Sequence, residues 1–334
     1  LARKYAVVGC GGIGTSSHLP AAKRLEEAGR LEIVAVCDIV EDRVRLAAER
    51  FGGRPYTDTG EMLRRESPDI VDVCTPEEAH AGLAVQALEA GADVICEKTM
   101  ADTIENARGM LEASRRTGRR LAINYNYRFL SPYLALRRVI EAGELGEIRN
   151  VAAAFHWNQG THSIDMMRNL GGEVAEVCGA EIVEEREGEF RGRRRAFRMR
   201  SSGAALLRFE SGALGTMSFT HYPRPGRFGF MNFIVVGTQK QAVVPATQGD
   251  LTIYAPDRPP VKPELPQPNE WVASFQRSIG AFLRSIEEGT PHPVTGEDGL
   301  KAMQIDAAIT ASRISGGWVK PYGEEASAAY HKFP

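Results

Sequence analysis

Neither sign of charge is in excess: 41 basic residues stand against 43 acidic ones, a formal charge of −2 over 334 residues. A protein that binds duplex nucleic acid ordinarily carries a basic excess or stripe, so nucleic acid is excluded as the main partner. The longest basic run, Arg191-Gly192-Arg193-Arg194-Arg195, follows the acidic Glu184-Glu185-Arg186-Glu187 and reads as solvated strand ends or a turn. Long apolar runs are lacking as well. None approaches the ~18 residues of a membrane helix, and no secretory apolar segment precedes the strand pattern that begins at Leu1–Tyr5. Cysteine is scarce and odd in number, five in all with no Cys-x-x-Cys pair. Cys37, Cys74 and Cys96 close apolar runs and Cys10 lies in a glycine loop. That dispersal excludes a disulfide framework or zinc knuckle and points to reduced thiols in a cytoplasmic protein. His162, Asp165 and Glu173 match no standard ligand spacing, so no metal is expected. Internal repeats and low-complexity segments are also missing.

What is present is a globular composition, 43% apolar and 25% charged, in a chain long enough for two domains. Up to residue 124, short apolar runs alternate with amphipathic stretches: Tyr5-Ala6-Val7-Val8, Ile33-Val34-Ala35-Val36, Ile70-Val71-Asp72-Val73, Val94-Ile95 and Leu121-Ala122-Ile123. Continuous apolar strands are buried on both faces, which predicts a doubly wound parallel sheet of the Rossmann kind with its ligand site at the carboxyl ends of the strands. From residue 125 to 334 the pattern predicts an α+β domain that holds substrate. A helix over 132–142 stops at Gly143, and antiparallel strands follow at Ile148–Trp157, Gly203–Phe209, Ala213–Tyr222, Gly229–Val236 and Gln241–Val244. Two late helices carry apolar stripes: Val272, Phe275, Ile279, Phe282, Ile286, then Leu300, Met303, Ala307, Ala311, Ile314. A large, mostly antiparallel sheet with helices on one face leaves its other face to be covered. On that ground a homodimer or homotetramer built on the C-terminal sheet is expected. No loop signal separates the strand at Trp157 from the helix start near Gly160, as though residues were missing there.

Several constellations carry chemistry. Gly9-Cys10-Gly11-Gly12-Ile13-Gly14 fits Gly-x-Gly-x-x-Gly between a strand and a helix, the context in which Gly9, Gly11, Gly12, Ile13 and Gly14 would wrap a pyrophosphate. Asp38 closes the second strand. Its carboxylate suits the ribose hydroxyls of NAD and repels the 2′-phosphate of NADP, although it also suits a helix N-cap for the stretch from Glu41. Thr75-Pro76, with His80 one turn on, and Glu97-Lys98 stand at the ends of later strands and belong to the same cofactor crevice. Lys98 there can stabilise an alkoxide or move a proton; most lysines, by contrast, are surface groups paired with an acid. His162, three residues before Asp165, can act as a general acid–base at neutral pH, or be a helix-start or core histidine.

Together these segments resemble the glucose–fructose oxidoreductase / inositol dehydrogenase / MocA family, nearly end to end and in order. The carriers are Gly9–Gly14 with His18-Leu19-Pro20, Thr75-Pro76 with His80, Glu97-Lys98, Asn126-Tyr127-Arg128-Phe129, Gly143–Ile148, Asn158–Asp165 and Thr295–Gly299. The resemblance implies that Lys98 is the lysine of the family's Glu-Lys-Pro motif and His162 its acid–base histidine, with Asn126, Arg128 and Asn158 at the substrate. Thr99 replaces the usual proline, so the backbone after Lys98 is expected to lose a rigid conformation. Asn158 stands where many members carry aspartate, and an amide orients a hydroxyl without shuttling its proton. The implied activity is NAD-dependent hydride transfer to or from a sugar, cyclitol or related polyol. The alternatives within the same resemblance are a redox-neutral NAD-dependent glycosidase and a non-catalytic sugar sensor.

Overall fold

The computed structural model describes residues 2–156, 160–190, 193–221 and 231–330, with backbone alone at 188–190 and 193–198. The chain forms two compact units, Leu1–Phe129 with Glu270–Leu300, and Leu130–Asn269 with Lys301–Pro334.

In the first unit, strands β1 (Arg3–Val8), β2 (Leu31–Cys37), β3 (Arg54–Tyr56), β4 (Ile70–Val73), β5 (Asp93–Cys96) and β6 (Leu121–Ile123) form one sheet in the order β3-β2-β1-β4-β5-β6. Every pair is parallel, as the continuous apolar runs predict. Helices α1 (Leu19–Glu27), α2 (Glu41–Phe51), α3 (Thr59–Glu66), α4 (Glu77–Glu89) and α5 (Ile104–Thr117) make the crossovers. Local chemistry sets their ends. The Asp58 carboxylate accepts from Glu61 N at 2.6 Å to cap α3, the Thr103 hydroxyl accepts from Asn106 N at 3.0 Å to cap α5, and α5 stops at Gly118. Tyr5, Val7, Ile70 and Val94 are fully buried, so the sheet has a helix layer on each face.

The second unit holds α6 (Ser131–Glu141), β7 (Ile148–His156), α7 (Gly160–Gly171), β8 (Val174–Phe190), β9 (Arg193–Phe209), β10 (Leu214–Thr220), β11 (Met231–Gly237), β12 (Gln241–Val244) and β13 (Thr252–Tyr254). Its sheet runs β13-β12-β11-β7-β10-β9-β8, antiparallel except for the β7–β10 pair. The acidic run and the described part of the basic run, expected as solvated strand ends or a turn, lie in the facing ends of two strands: β8 and β9 pair over 17 residues each, with Glu184 opposite Met199 and Glu185 opposite Arg198. Ribbon that is polar on both faces has no alternation of apolar and polar residues, so periodicity cannot find it. Along β10, Gly215, Met217 and Phe219 are buried while Leu214, Thr216 and Ser218 are exposed.

Helix α8 (Trp271–Glu288) packs in the first unit, where Phe275, Ile279 and Phe282 join the core of Leu19 and Leu25. Helix α9 (Gly296–Ser315) follows, and the short α10 (Glu324–Ala328) closes the described chain. On α9 the expected stripe holds for Met303, Ala307 and Ala311, but Ile314 is 64% exposed at the helix end. No helix of the described chain is long and apolar enough to cross a membrane.

Candidate active site

The strand order puts the carboxyl ends of β2, β1, β4 and β5 side by side, which brings Asp38, Gly9–Gly14, Thr75-Pro76 and Glu97-Lys98 onto one edge of one sheet. Gly9 has φ +104°, and a Cβ there would lie 2.6 Å from the carbonyl carbon of Cys74; one on Gly14 would lie 2.2 Å from Gly9 O. Those two glycines fold the loop against β4. Gly11 and Gly12 differ: a Cβ on either meets nothing within 4 Å, so their backbone borders open space. Cys10 N donates to Asp38 Oδ2 at 2.8 Å and Val40 N to Oδ1 at 2.9 Å, which leaves a lone pair on each oxygen for a further donor. Ile39 and Val40 follow, exposed and apolar, and offer no cation to a 2′-phosphate. Among the described residues, the buried Thr75 hydroxyl has no hydrogen-bond partner. Open glycine backbone, an acceptor carboxylate and an orphaned hydroxyl along one strand edge fit a dinucleotide.

Behind this edge lies an ionic network that sequence reasoning missed. Asp72, inside an apolar run on β4, and His18, just before α1, are both fully buried. His18 Nδ1 is 2.7 Å from Asp72 Oδ2 and its Nε2 is 2.9 Å from Glu97 Oε1. The Tyr5 hydroxyl also donates to Asp72, Asn124 Nδ2 donates to Glu97 Oε1 at 2.6 Å, and the Ser278 hydroxyl donates to Asn124 at 2.9 Å. Burial works against the His18 cation, yet the Asp72 carboxylate raises its pKa well above the ordinary value. Burial likewise opposes the Glu97 anion, and the His18 hydrogen bond overrides it, pulling that carboxyl down to about 2. The one signal in the sequence was an aspartate in the middle of a buried strand, which needs a partner. Among the described residues, His18, Asp72 and Cys74 also form the one cluster close enough to share a metal ion. Both ring nitrogens of His18 already lie on carboxylates, and burial keeps the Cys74 thiol protonated. The donor set therefore fits shared protons better than a metal.

Lys98 is half-buried and, among the described residues, makes no ion pair, unlike an ordinary surface lysine. Its own N–H donates to Glu97 Oε2 at 3.2 Å, so the network ends at the backbone of the lysine. The Lys98–Thr99 peptide is cis although residue 99 is not proline, which corrects the expectation that replacing proline changes this backbone. His80 is fully buried, with Nδ1 2.8 Å from Thr99 O and Nε2 2.8 Å from Thr75 O, so it grips the crevice loops from behind. Asn126 and Arg128 lie on the turn Asn126–Phe129. Asn126 is buried and donates to the Ser274 hydroxyl at 2.9 Å; Arg128 donates to Pro293 O at 2.9 Å and pairs with Asp298 at 3.4 Å.

In the second unit, His162 stands in the first turn of α7 with Asp165 one turn on, both buried. Asn158 lies outside the described residues, as does the Trp157-Asn158 junction. His156, which ends β7, was not singled out from the sequence; it is fully buried, with Nε2 3.2 Å from His221 O.

Residues 3–125 match an oxidoreductase family, GFO/IDH/MocA, described as having an NAD-binding Rossmann fold, and residues 155–320 match that family's C-terminal α/β domain. The chain belongs to this oxidoreductase family. The D-apiose dehydrogenase of Paraburkholderia graminis is 27% identical to the oxidoreductase over 97% of this chain and 91% of the relative. The myo-inositol 2-dehydrogenase of Thermotoga maritima is 25% identical over 92% and 96%. Among solved structures, levoglucosan dehydrogenase in complex with NADH and levoglucosan matches with a TM-score of 0.85 at 22% identity, covering 97% of this chain and all of its own. An NAD-binding oxidoreductase from Klebsiella pneumoniae reaches 0.87 at 20% identity, with the same coverage. At such identities the structural likeness speaks for the fold.

Proposed function

We propose that this oxidoreductase moves a hydride between NAD and a hydroxyl-bearing carbon of a sugar, cyclitol or related polyol, with Lys98 and His162 doing the proton work. The observation that carries the reading is Lys98, which makes no ion pair among the described residues and stands at the strand edge that also bears Gly11, Gly12, Asp38 and Thr75. The relatives named D-apiose dehydrogenase and myo-inositol 2-dehydrogenase support a polyol substrate. Gly11, Gly12 and Ile13 would hold the pyrophosphate, Asp38 the adenosine ribose, and Thr75-Pro76 the nicotinamide side. NAD, when bound there, supplies the acceptor for the substrate's hydride. Lys98 lowers the cost of negative charge on the substrate oxygen, and His162 takes or returns the hydroxyl proton. Arg128, Asn126 and Asn158 are the next candidates for substrate contact. A panel of sugars and cyclitols, assayed with NAD by the absorbance of the reduced cofactor, should give net reduction with at least one polyol. Glycoside cleavage without net reduction would replace this reading with a redox-neutral one.

The same proposal places the enzyme in the cytoplasm, which the four buried free thiols, Cys10, Cys37, Cys74 and Cys96, support. It also makes the enzyme a homodimer or homotetramer through the outer face of the C-terminal sheet. Ala204, Leu206, Leu214, Thr216 and Ser218 lie together there, with Leu206 49% and Leu214 52% exposed and the Arg208–Glu176 ion pair at their margin. Light scattering at micromolar concentration should report two or four chains. The mass of a single chain refutes the assembly.

A further inference from the structure

We propose that His80 is a positioning residue: its ring, protonated on both nitrogens, ties the Thr75 and Thr99 carbonyls together and thereby fixes where Lys98 stands. The inference rests on the reading of Lys98 given above. His80 sits in the first turn of α4, and its side chain is fully buried. Nδ1 and Nε2 lie 2.8 Å from Thr99 O and Thr75 O, respectively. A carbonyl oxygen only accepts. A ring nitrogen without hydrogen at that distance would set one lone pair against another, so both nitrogens carry hydrogen and the ring is a cation. The positive end of the α4 dipole opposes this charge, while Glu77 and Glu78 bring the opposite sign to the same turn.

The consequence follows from the order of the strands. Backbone pairing between β4 and β5 reaches Glu97 N, which donates to Val73 O at 2.9 Å. Beyond that bond the two strand ends run on into the Thr75-Pro76 and Lys98-Thr99 loops, and the His80 ring continues the bridging with a side chain in place of a ladder. Lys98 is thus flanked by two anchors. Glu97 is held by His18 at 2.9 Å, and Thr99 by His80. The arrangement gives a long, flexible side chain a fixed root, and small displacements of a reacting group are costly to rate. His80 itself makes no contact with substrate in this scheme.

Two measurements test it. In the wild-type enzyme with ¹⁵N-labelled histidine, at neutral pH, the resonance assigned to His80 by its loss in His80→Gln should show both ring nitrogens protonated. Kinetically, His80→Leu should lower kcat by about tenfold to a hundredfold, the usual cost of a misplaced catalytic group. The same change made in Lys98→Ala should lower kcat less than about twofold, because its effect passes through the lysine. If His80→Leu does not fold, His80→Gln, which keeps one donor, takes its place in the cycle. A ring protonated on one nitrogen, or losses that simply multiply in the double variant, overturns the proposal. Should Lys98→Ala alone keep wild-type kcat, the catalytic reading of Lys98 fails, and the nitrogen spectrum still decides the state of His80 independently.

Discussion

Lys98 carries the chemical argument at the residue scale, and the test of it separates binding from turnover. Removing its side chain leaves Gly9–Gly14, Asp38 and the His18 network in place, so NAD affinity should stay within about twofold. The loss should fall on kcat, by ~100-fold or more, because in the proposed mechanism the ammonium acts where charge develops on the substrate oxygen. Isothermal titration of NAD against Lys98→Ala, beside its steady-state kcat, checks both halves. Lys98 was legible from its place after a predicted strand, and Asp38 for the same reason. His18 and Asp72 were not. A histidine ahead of a helix and an aspartate in a strand are 54 positions apart, and nothing in local pattern says that they meet at 2.7 Å. The bridge made by His80 was equally hidden, since it depends on the Thr75 and Thr99 carbonyls meeting one ring.

At the scale of elements, the glycine loop shows that residues of one type serve two purposes. Gly9 is required by the fold, since its φ of +104° and the 2.6 Å approach to Cys74 leave no room for a Cβ. Gly11 has no such neighbour, since a Cβ there meets nothing within 4 Å, and the proposed function gives it to the ligand. Gly9→Ala should therefore lower Tm by more than about 5 °C, whereas Gly11→Ala should keep Tm within about 2 °C and weaken NAD binding, because the new methyl occupies the approach of the pyrophosphate. Differential scanning fluorimetry with and without NAD separates the two; equal Tm losses would show that the loop does not divide its work this way. The parallel sheet was readable from sequence because burial on both faces gives continuous apolar runs. In the second unit the half of β9 over Gly203–Phe209 was readable from its alternation, whereas the stretch of β8 through Glu184–Glu187 was not, because a run of charged residues carries no apolar residue at any fixed interval. Nor does the apolar stripe of α8 state what it packs against; Phe275 and Phe282 read alike whichever core receives them.

For the whole molecule, buried ionisable groups predict how stability depends on pH. Burial pushes the His292 ring down to about 4, so the unfolded chain binds its proton first, and stability falls as pH drops from 6.5 to about 4. Glu97, drawn down to about 2 against burial by the His18 hydrogen bond, contributes stability above 4.5 that is lost as pH falls through about 2. His18 has the opposite sign. Against the cost of its burial, the Asp72 charge holds its pKa well above 6.5, so its contribution is complete below 6.5 and is lost as pH rises through that raised value. Tm should therefore decline on the acid side in two stages, and His292→Gln should flatten the stage between 6.5 and 4 while sparing the lower one. An unchanged slope in that variant would assign the loss to other groups.

The central claim is direct transfer of hydrogen from a polyol carbon to NAD within this chain. Turnover of a polyol carrying deuterium on the reacting carbinol carbon, followed by mass spectrometry of the cofactor, tests it most directly. The account predicts one deuterium in each molecule of reduced cofactor formed and none released to solvent. Reduced cofactor without the label, or turnover that leaves NAD unreduced, would contradict it.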